Sequence, residues 1–564
     1  MRKTAPGPLE PAPFNIPEPF ITTLDNGLKV VILADKRLPL VSYRLAFLSG
    51  DANDPRENAG ITSAMASMLT EGTVNYSSLE LAEKVERLGA HLGASSSEDF
   101  VIVSASSLSI YSTEILQLIG EIVFRATFPE AELDLYRRNT IENLKFQRSQ
   151  PGFLANEQVA SILYGEHPYA RVSPSAEDIE KLSRDAIAEF YGRQLLPNNA
   201  ILIAVGDIEK DEFLREVADQ FGKWKGSELP VPTFAAPPTR AGRSLTIVDR
   251  PGSAQTNIVL ANIAFERNHP DYFPALVMNQ ILGAGASSRV FMNLREEKGY
   301  TYGAYTRLDA KRSAGDFEAT AEVRTQVTGD SLREFFYELE RIRTDRVSDE
   351  ELADAKNFLT GVFPIRAETQ EGLTNLIVNQ QLYDLPADYL QTYRANVEAI
   401  SAVDVERVAN KYIQPDSLAI VLVGDAKDVL PQVRSYTDQI NILDTVGNKM
   451  DLASYEEDPN AEEVDVAGTW ELSLDFQGQQ LPVTLTLEQN GERISGKIET
   501  VLGSGNIDDG TVKGDRITAT ANTEIQGQSV EFSITGSVKS DSMSGTLSAP
   551  IIPDSLSFEG KRTS

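Results

Sequence analysis

Pro197 and Pro415, Gly206 and Gly424, Asp207 and Asp425, and Ser183 and Ser401 are each 218 residues apart. The stretches around them match as well. Leu196-Pro-Asn-Asn-Ala-Ile-Leu-Ile-Ala-Val-Gly-Asp207 runs against Ile413 to Asp425, an apolar strand entered after a proline and left at Gly-Asp. A recurrence of this period marks two copies of one supersecondary unit, each of the α+β class. The chain has 564 residues, too many for a single hydrophobic core, which also favours several domains.

Turn chemistry divides the rest. Residues 1–20 hold six prolines and read as an extended arm. Asn26-Gly27 predicts a hairpin between Phe20–Leu24 and Leu28–Leu33. A strand over Val41–Leu48, a helix from about Asn58 to Thr70, and the strand Ala200–Val205 complete a first domain over 21–227. Residues 228–242 contain Pro230, Pro232, Pro237 and Pro238 and predict a linker. The second domain spans 243–444, from Ser244–Val248 to Leu418–Asp425. Residues 445–466 form an acidic linker with Glu456, Glu457, Asp458, Glu462, Glu463 and Asp465. Over 467–564 the period changes to two. Strands are predicted at Trp470–Phe476, Pro482–Leu487, Gly496–Thr500, Arg516–Ala521 and Val530–Thr535. Asn490-Gly491, Asp509-Gly510 and Gly514-Asp515 are the turn signals between them. This tail is an all-β antiparallel barrel or sandwich, with Trp470 in its core.

Composition excludes some roles. A net charge of −31 argues against nucleic acid and anionic membrane surfaces as partners. There is no cysteine, hence no disulfide and no thiolate metal site. No run of 18 apolar residues suggests a membrane span. Met1 to Pro11 lacks an apolar segment and is not a signal peptide as it stands. The compartment is left open between a bacterial periplasm or envelope, reached after removal of a leader, and the cytoplasm.

The richest stretch runs from Gly283 to Tyr305. Gly283, Gly285, Ser287 and Ser288 lie in a small-residue run that permits close backbone approach and leaves amides unshielded. Arg289–Lys298 predicts a short helix with Val290, Phe291 and Leu294 on one face, stopped by Gly299. Tyr300–Thr306 predicts a strand. Arg295 and Tyr302, at the helix end and on the strand, can then address one spot. A guanidinium and a phenol there suit a peptide carbonyl or a developing oxyanion.

This stretch resembles the glycine-rich loop and Arg/Tyr segment of the insulinase (pitrilysin) family, zinc peptidases with an inverted His-x-x-Glu-His motif. The resemblance covers roughly residues 20–440. It implies two tandem homologous α/β-sandwich domains forming half of a clam-shell, with Arg295 and Tyr302 as the substrate-orienting pair and the glycine-rich loop beside the substrate. The zinc helix of the family corresponds to Gly60–Thr73, where Gly60, Met68-Leu69 and Gly72-Thr73 match. The metal positions depart. Ser63 and Ser67 replace the histidines, Ala66 replaces the base, and Asn143 falls where the distant Glu ligand is expected. Adjacent Glu142 points about 100° away on a helix. The three histidines, His91, His167 and His269, are 76 and 102 residues apart and show no ligand spacing.

The resemblance and the departure together imply a non-catalytic, substrate-binding subunit of a heteromeric zinc peptidase. On that expectation this chain holds no cofactor. Zinc sits in a partner subunit with an intact motif, in a heterodimer or heterotetramer, and Arg295 and Tyr302 act in trans on a bound peptide. The alternative is a structural or peptide-binding scaffold without a peptidase role.

Overall fold

The computed structural model describes residues 15–229, 232–455, 464–476, 479–500, 503–525, 528–548 and 556–563. The predicted arm, except residues 15–20, and the core of the acidic linker, 456–463, lie outside them. The chain forms two compact units, one ending at Met450 and one beginning at Asp451.

The first unit holds two mixed sheets. In the first, β1 (Phe20–Thr23), β2 (Lys29–Ala34), β3 (Leu40–Phe47), β4 (His91–Ser96), β5 (Val101–Leu108) and β6 (Ala200–Gly206) lie in the order β1-β2-β6-β3-β5-β4. In the second, β7 (Ser244–Asp249), β8 (Gln255–Ile263), β9 (Thr301–Ala310), β10 (Gly315–Arg324), β11 (Ala419–Gly424), β12 (Ile440–Leu443) and β13 (Lys449–Met450) lie in the order β13-β12-β7-β11-β8-β10-β9. The run β2-β6-β3-β5-β4 repeats as β7-β11-β8-β10-β9, with the parallel pair at the same place in each. The two sheets therefore carry the 218-residue repeat at the level of strand order.

Every residue of β6 and of β11 is buried. A strand with such a continuous apolar run needs cover on both faces. Each sheet receives one cover from the other domain. The helix Pro151–Tyr164 of the first domain packs Leu154, Ala155, Val159 and Leu163 against Val248, Val259, Val421 and Val423 of the second sheet. The helix Gln370–Leu382 of the second domain packs on β6 and β3, and Gln370 Nε2 donates to the Val205 carbonyl at 2.7 Å. These two helices occupy matching places in the repeat. The exchange explains why both domains belong to one compact unit. The residues between the domains are not loose, since Phe234 stacks edge-on to His167 and Arg240 Nε donates to the Ser417 carbonyl at 2.9 Å.

The turn joining β9 to β10 docks on the first domain. Asp99 Oδ2 accepts the Arg312 N–H at 3.0 Å, Tyr169 donates to Asp99 Oδ1, and the Ser313 N–H donates to the Tyr169 hydroxyl at 3.2 Å. Tyr164 donates to Asp316 Oδ2 at 2.5 Å. Burial pushes the Asp316 carboxyl from its ordinary 3.8 up to about 7, assisted by neighbouring Glu318. The folded protein therefore keeps a proton that the unfolded chain releases near pH 4, so stability falls as pH rises from about 4 to about 7. The span is worth on the order of 4 kcal/mol at most. Asp316→Asn keeps an acceptor for Tyr164 and is expected to flatten the pH dependence of urea unfolding between about pH 4 and pH 7. An unchanged slope would mean that Asp316 is solvated.

The second unit is a closed antiparallel barrel of β14 (Gly468–Phe476), β15 (Gln479–Asn490), β16 (Arg493–Thr500), β17 (Gly503–Lys513), β18 (Arg516–Ile525), β19 (Gln528–Lys539), β20 (Ser542–Ser548) and β21 (Leu556–Arg562), paired in sequence order and closed by β14 against β21. Trp470 is a core residue. It is fully buried, its Nε1 donates to the Val466 carbonyl at 2.9 Å, and the Arg562 guanidinium covers its ring at 4.8 Å. The predicted strands all fall on barrel strands. Three others, β17, β20 and β21, were not predicted. Asp509-Gly510 is not a turn but part of β17, beside a register shift between Ile507 and Asp509.

Candidate functional site

The helix Ile61–Met68 begins at Gly60, whose φ of 85° lies in the region glycine favours. Asp54 fixes this start. Its Oδ2 accepts the Gly60 N–H at 2.7 Å and its Oδ1 accepts the Thr62 N–H at 3.1 Å. Ser63 and Ser67, one turn apart, face a cavity of about 560 Å³, and Asn143 lines the same cavity from the helix Glu130–Arg148. Three of the four positions singled out from the sequence are thus brought together. Ala66 is not among them. It is only 1% exposed, and its methyl packs in the core, too short to reach the cavity. Glu142 stays on the surface and pairs with Lys145 at 2.7 Å.

Sequence reasoning missed the other walls. Asp51, Asp54, Glu71, Glu98 and Glu132 line this cavity with Tyr136 and Arg171. Burial pushes Asp51 up to about 7 and raises Asp54 as well. Burial also raises the Tyr136 phenol, which hydrogen-bonds Ser63 and Thr140. The only sequence signal was the pair of acids in Asp51-Ala-Asn-Asp54 just ahead of the helix. Hydroxyls and an amide do not fit zinc, which takes imidazole, thiolate or carboxylate ligands. Among the described residues no group of three or more His, Cys, Asp or Glu side chains is placed to hold a metal ion.

The histidines are accounted for otherwise. His167 Nδ1 accepts the Tyr169 N–H at 3.1 Å, and burial lowers its pKa. His269 Nδ1 accepts the Asp271 N–H at 3.0 Å. His91 is exposed on the edge strand β4.

The glycine-rich stretch follows the helix Tyr272–Leu282. Gly283 touches the middle of β9, where its carbonyl accepts the Thr306 N–H at 3.0 Å. A Cβ there would lie 2.4 Å from Thr306 Oγ1 and 2.5 Å from its N. Gly283→Ala is expected to cost about 1–3 kcal/mol, read as a lower urea midpoint at constant m-value. An unaltered midpoint would show that the loop relaxes freely. Gly285 would meet only the end of the Gln280 side chain, at 3.1 Å. Ser288 is buried and its Oγ donates to the Gly285 carbonyl at 2.5 Å, while Ser287 is exposed.

The predicted helix takes a different winding. Arg289–Phe291 is one α-turn, and Met292–Glu297 continues as π-helix to Lys298 and then Gly299, whose φ is 64°. Val290, Phe291 and Leu294 are buried as the apolar spacing required. Arg289, absent from the sequence reading, anchors the turn through two bonds to Glu351, at 2.7 and 3.1 Å.

β9 is the edge of its sheet. Its pairing with β10 slips between Ala321 and Val323, which leaves an extra residue at Tyr302-Gly303. Thr301 Oγ1 accepts the Gly303 N–H at 3.1 Å and lies 2.6 Å from the Glu322 carbonyl, closing the bulge. Tyr302 stands 90% exposed. Bulges of this kind re-aim a side chain at a sheet edge. Arg295 lies over the Phe291 ring at 4.9 Å, and Phe291 in turn touches the Tyr305 ring at 5.6 Å. Among the described residues no hydrogen bond joins Arg295 to Tyr302. The π-helix that carries Arg295 packs against β9, and Arg295 Nε lies 3.5 Å from Glu296.

Comparison with known proteins bears on the family and the fold. The family described as insulinase (peptidase family M16) matches residues 29–173, and that described as peptidase M16 inactive domain matches residues 181–359. An uncharacterized zinc protease YmxG of Bacillus subtilis is 22% identical over 400 residues, 68% of this chain and 93% of that protein. A non-peptidase homolog YmxG of Helicobacter pylori is 21% identical over 406 residues, 71% and 93% of the two chains. Among solved structures, a peptidase M16 inactive domain from Pseudomonas fluorescens superposes with a TM-score of 0.68 at 25% identity, covering 72% of this chain and 98% of that one. A protease from Helicobacter pylori superposes with a TM-score of 0.68 at 21% identity, covering 72% and 100%.

Proposed function

The chain belongs to the insulinase (M16) peptidase family, as a member whose zinc positions carry no zinc ligands, and we propose that it is the substrate-binding, non-catalytic subunit of a two-chain zinc peptidase. One observation carries the reading. Ser63, Ser67 and Asn143 still converge on one cavity without an imidazole, thiolate or carboxylate among them to hold zinc, while Tyr302 is turned out of its own chain at a bulged sheet edge.

On this reading the metal chemistry belongs to a partner subunit with an intact motif. This chain supplies an edge strand, β9, on which an extended peptide adds by main-chain hydrogen bonds. The Tyr302 hydroxyl donates to the oxyanion that forms at the scissile carbonyl. Arg295 holds the peptide in register with its guanidinium, and the loop at Gly283, Gly285, Ser287 and Ser288 leaves room for the peptide backbone.

Purification of the complex from its native cell tests the proposal. A second chain with an intact inverted motif is expected to come with this one, and zinc to follow that chain. Separated by mild denaturant, exposed to chelator and reloaded with zinc, this chain alone is expected to retain no stoichiometric metal and to cleave no peptide. About one tightly held zinc per chain would overturn the reading, as would hydrolysis by this chain alone.

A further inference from the structure

A second cavity, of about 270 Å³, lies between the two domains of the first unit; it shares Asp51, Glu98 and Arg171 with the wall of the first cavity, and Tyr164, Arg307, Lys311 and Asp316 belong to it alone. Asp51 and Arg171 enter it from the first domain, Lys311 and Asp316 from the second. Asp316 is 3% exposed, and while Tyr164 donates to its Oδ2, its Oδ1 is buried with no donor. The Asp51 carboxyl hydrogen-bonds Ser96, and its Oδ1 is likewise buried without a donor. Lys311 and Arg307 act on Asp316 through space, but neither donates a hydrogen bond to it. Lys311 Nζ lies 3.5 Å from Glu98 and 3.4 Å from Asp309, and Arg307 pairs with Glu318 at 3.0 Å. The Arg171 guanidinium, at the cavity wall, acts through space on Asp51 and Asp54, and no ion pair within 4 Å and no side-chain hydrogen bond of it is found among the described residues.

A buried carboxylate oxygen left without a donor costs about 1–3 kcal/mol or more, so it marks a place where something external donates. A primary ammonium brings three donors on one atom. A carboxylate matches a free guanidinium by two parallel bonds. The cavity lies just below the roughly 300–1,000 Å³ of ordinary ligand pockets, which suits a molecule carrying both groups a few bonds apart and excludes an extended peptide. We propose that the interdomain cavity binds a free α-amino acid, its ammonium held by Asp316 and Asp51 and its carboxylate by Arg171. The ligand then bridges the seam between the two domains.

Calorimetric titration of the dialysed full chain with the common free amino acids, one at a time at about pH 8, above the value of about 7 to which burial raises Asp316 and Asp51, tests this. At least one is expected to bind with a Kd of about 1 mM or tighter. Its N-acetyl form, which lacks the cation, is expected to bind at least about tenfold more weakly. Asp316→Asn should weaken the free amino acid by about tenfold or more. Arg171→Gln should do the same for the amino acid and leave its α-amide unaffected. Should Asp316→Asn fail to fold by circular dichroism, Asp51→Asn carries the same expectation. The proposal falls if no amino acid binds at up to about 10 mM, if the N-acetyl form binds as well as the free one, or if the carboxylate variants bind unchanged.

Discussion

Tyr302→Phe is expected to lower kcat of the reconstituted two-chain peptidase by about 10²–10³-fold, or roughly 2.7–4 kcal/mol, as removal of other single oxyanion donors does. The substitution deletes one hydroxyl from a side chain that is 90% exposed, so folding and subunit pairing have no reason to change. KM should move little, because the hydroxyl is used when charge develops on the carbonyl oxygen and not before. Arg295→Ala should be at least as harmful and should raise KM as well, since a guanidinium that orients the peptide acts on the ground state too. The losses should not add, because both residues work on the same bound carbonyl. Arg295 also covers the Phe291 ring, so its removal needs a control by urea unfolding. A Tyr302→Phe rate within about twofold of wild type would leave Tyr302 as ordinary surface and remove the main support for catalysis in trans.

The architecture was legible where local chemistry marks it. Pro197 and Pro415 each stand just before a central strand, and Gly206 and Gly424 end those strands, so the repeat could be read from turn residues alone. The exchange of the helices Pro151–Tyr164 and Gln370–Leu382 could not. Apolar periodicity tells a helix to bury a face but not against which sheet. In hindsight the unbroken apolar runs of β6 and β11 required a second cover, and the partner domain provides it. The π-winding of Met292–Glu297 was equally hidden, because the same three residues are buried in either winding. β17 was missed because Asp-Gly, a strong turn signal elsewhere, here sits in a strand beside a register shift. In the candidate site, Ser63 and Ser67 were readable as one helix face. Ala66 was not, because a methyl at that position cannot reach the cavity. Asp51 and Asp316 become notable only through burial, which tertiary packing creates.

Restoring the lost ligands is expected to give this chain a zinc site. Ser63→His and Ser67→His place two imidazoles one turn apart on a helix face that lines the cavity, and Asn143→Glu brings a carboxylate to the same space. These are the donor types zinc takes, in place of neutral hydroxyl and amide oxygens. Asp51, Asp54 and Glu71 on the surrounding wall favour a cation further. Structural zinc sites hold their ion by about 10–16 kcal/mol near neutral pH. A grafted site with imperfect support should reach a part of that, so a Kd at or below about 1 μM is the expected result, equivalent to about 8 kcal/mol. Metal analysis after chelation and reloading should give about one zinc in the triple variant and none in the unaltered chain. Binding should also raise the thermal midpoint with zinc concentration, since the metal binds the folded state. Hydrolysis is not expected, because position 66 remains an alanine and the general base that the resemblance places there is not restored. A triple variant that folds and still binds no zinc would show that Ser63, Ser67 and Asn143 share a cavity without sharing the geometry of a lost metal site.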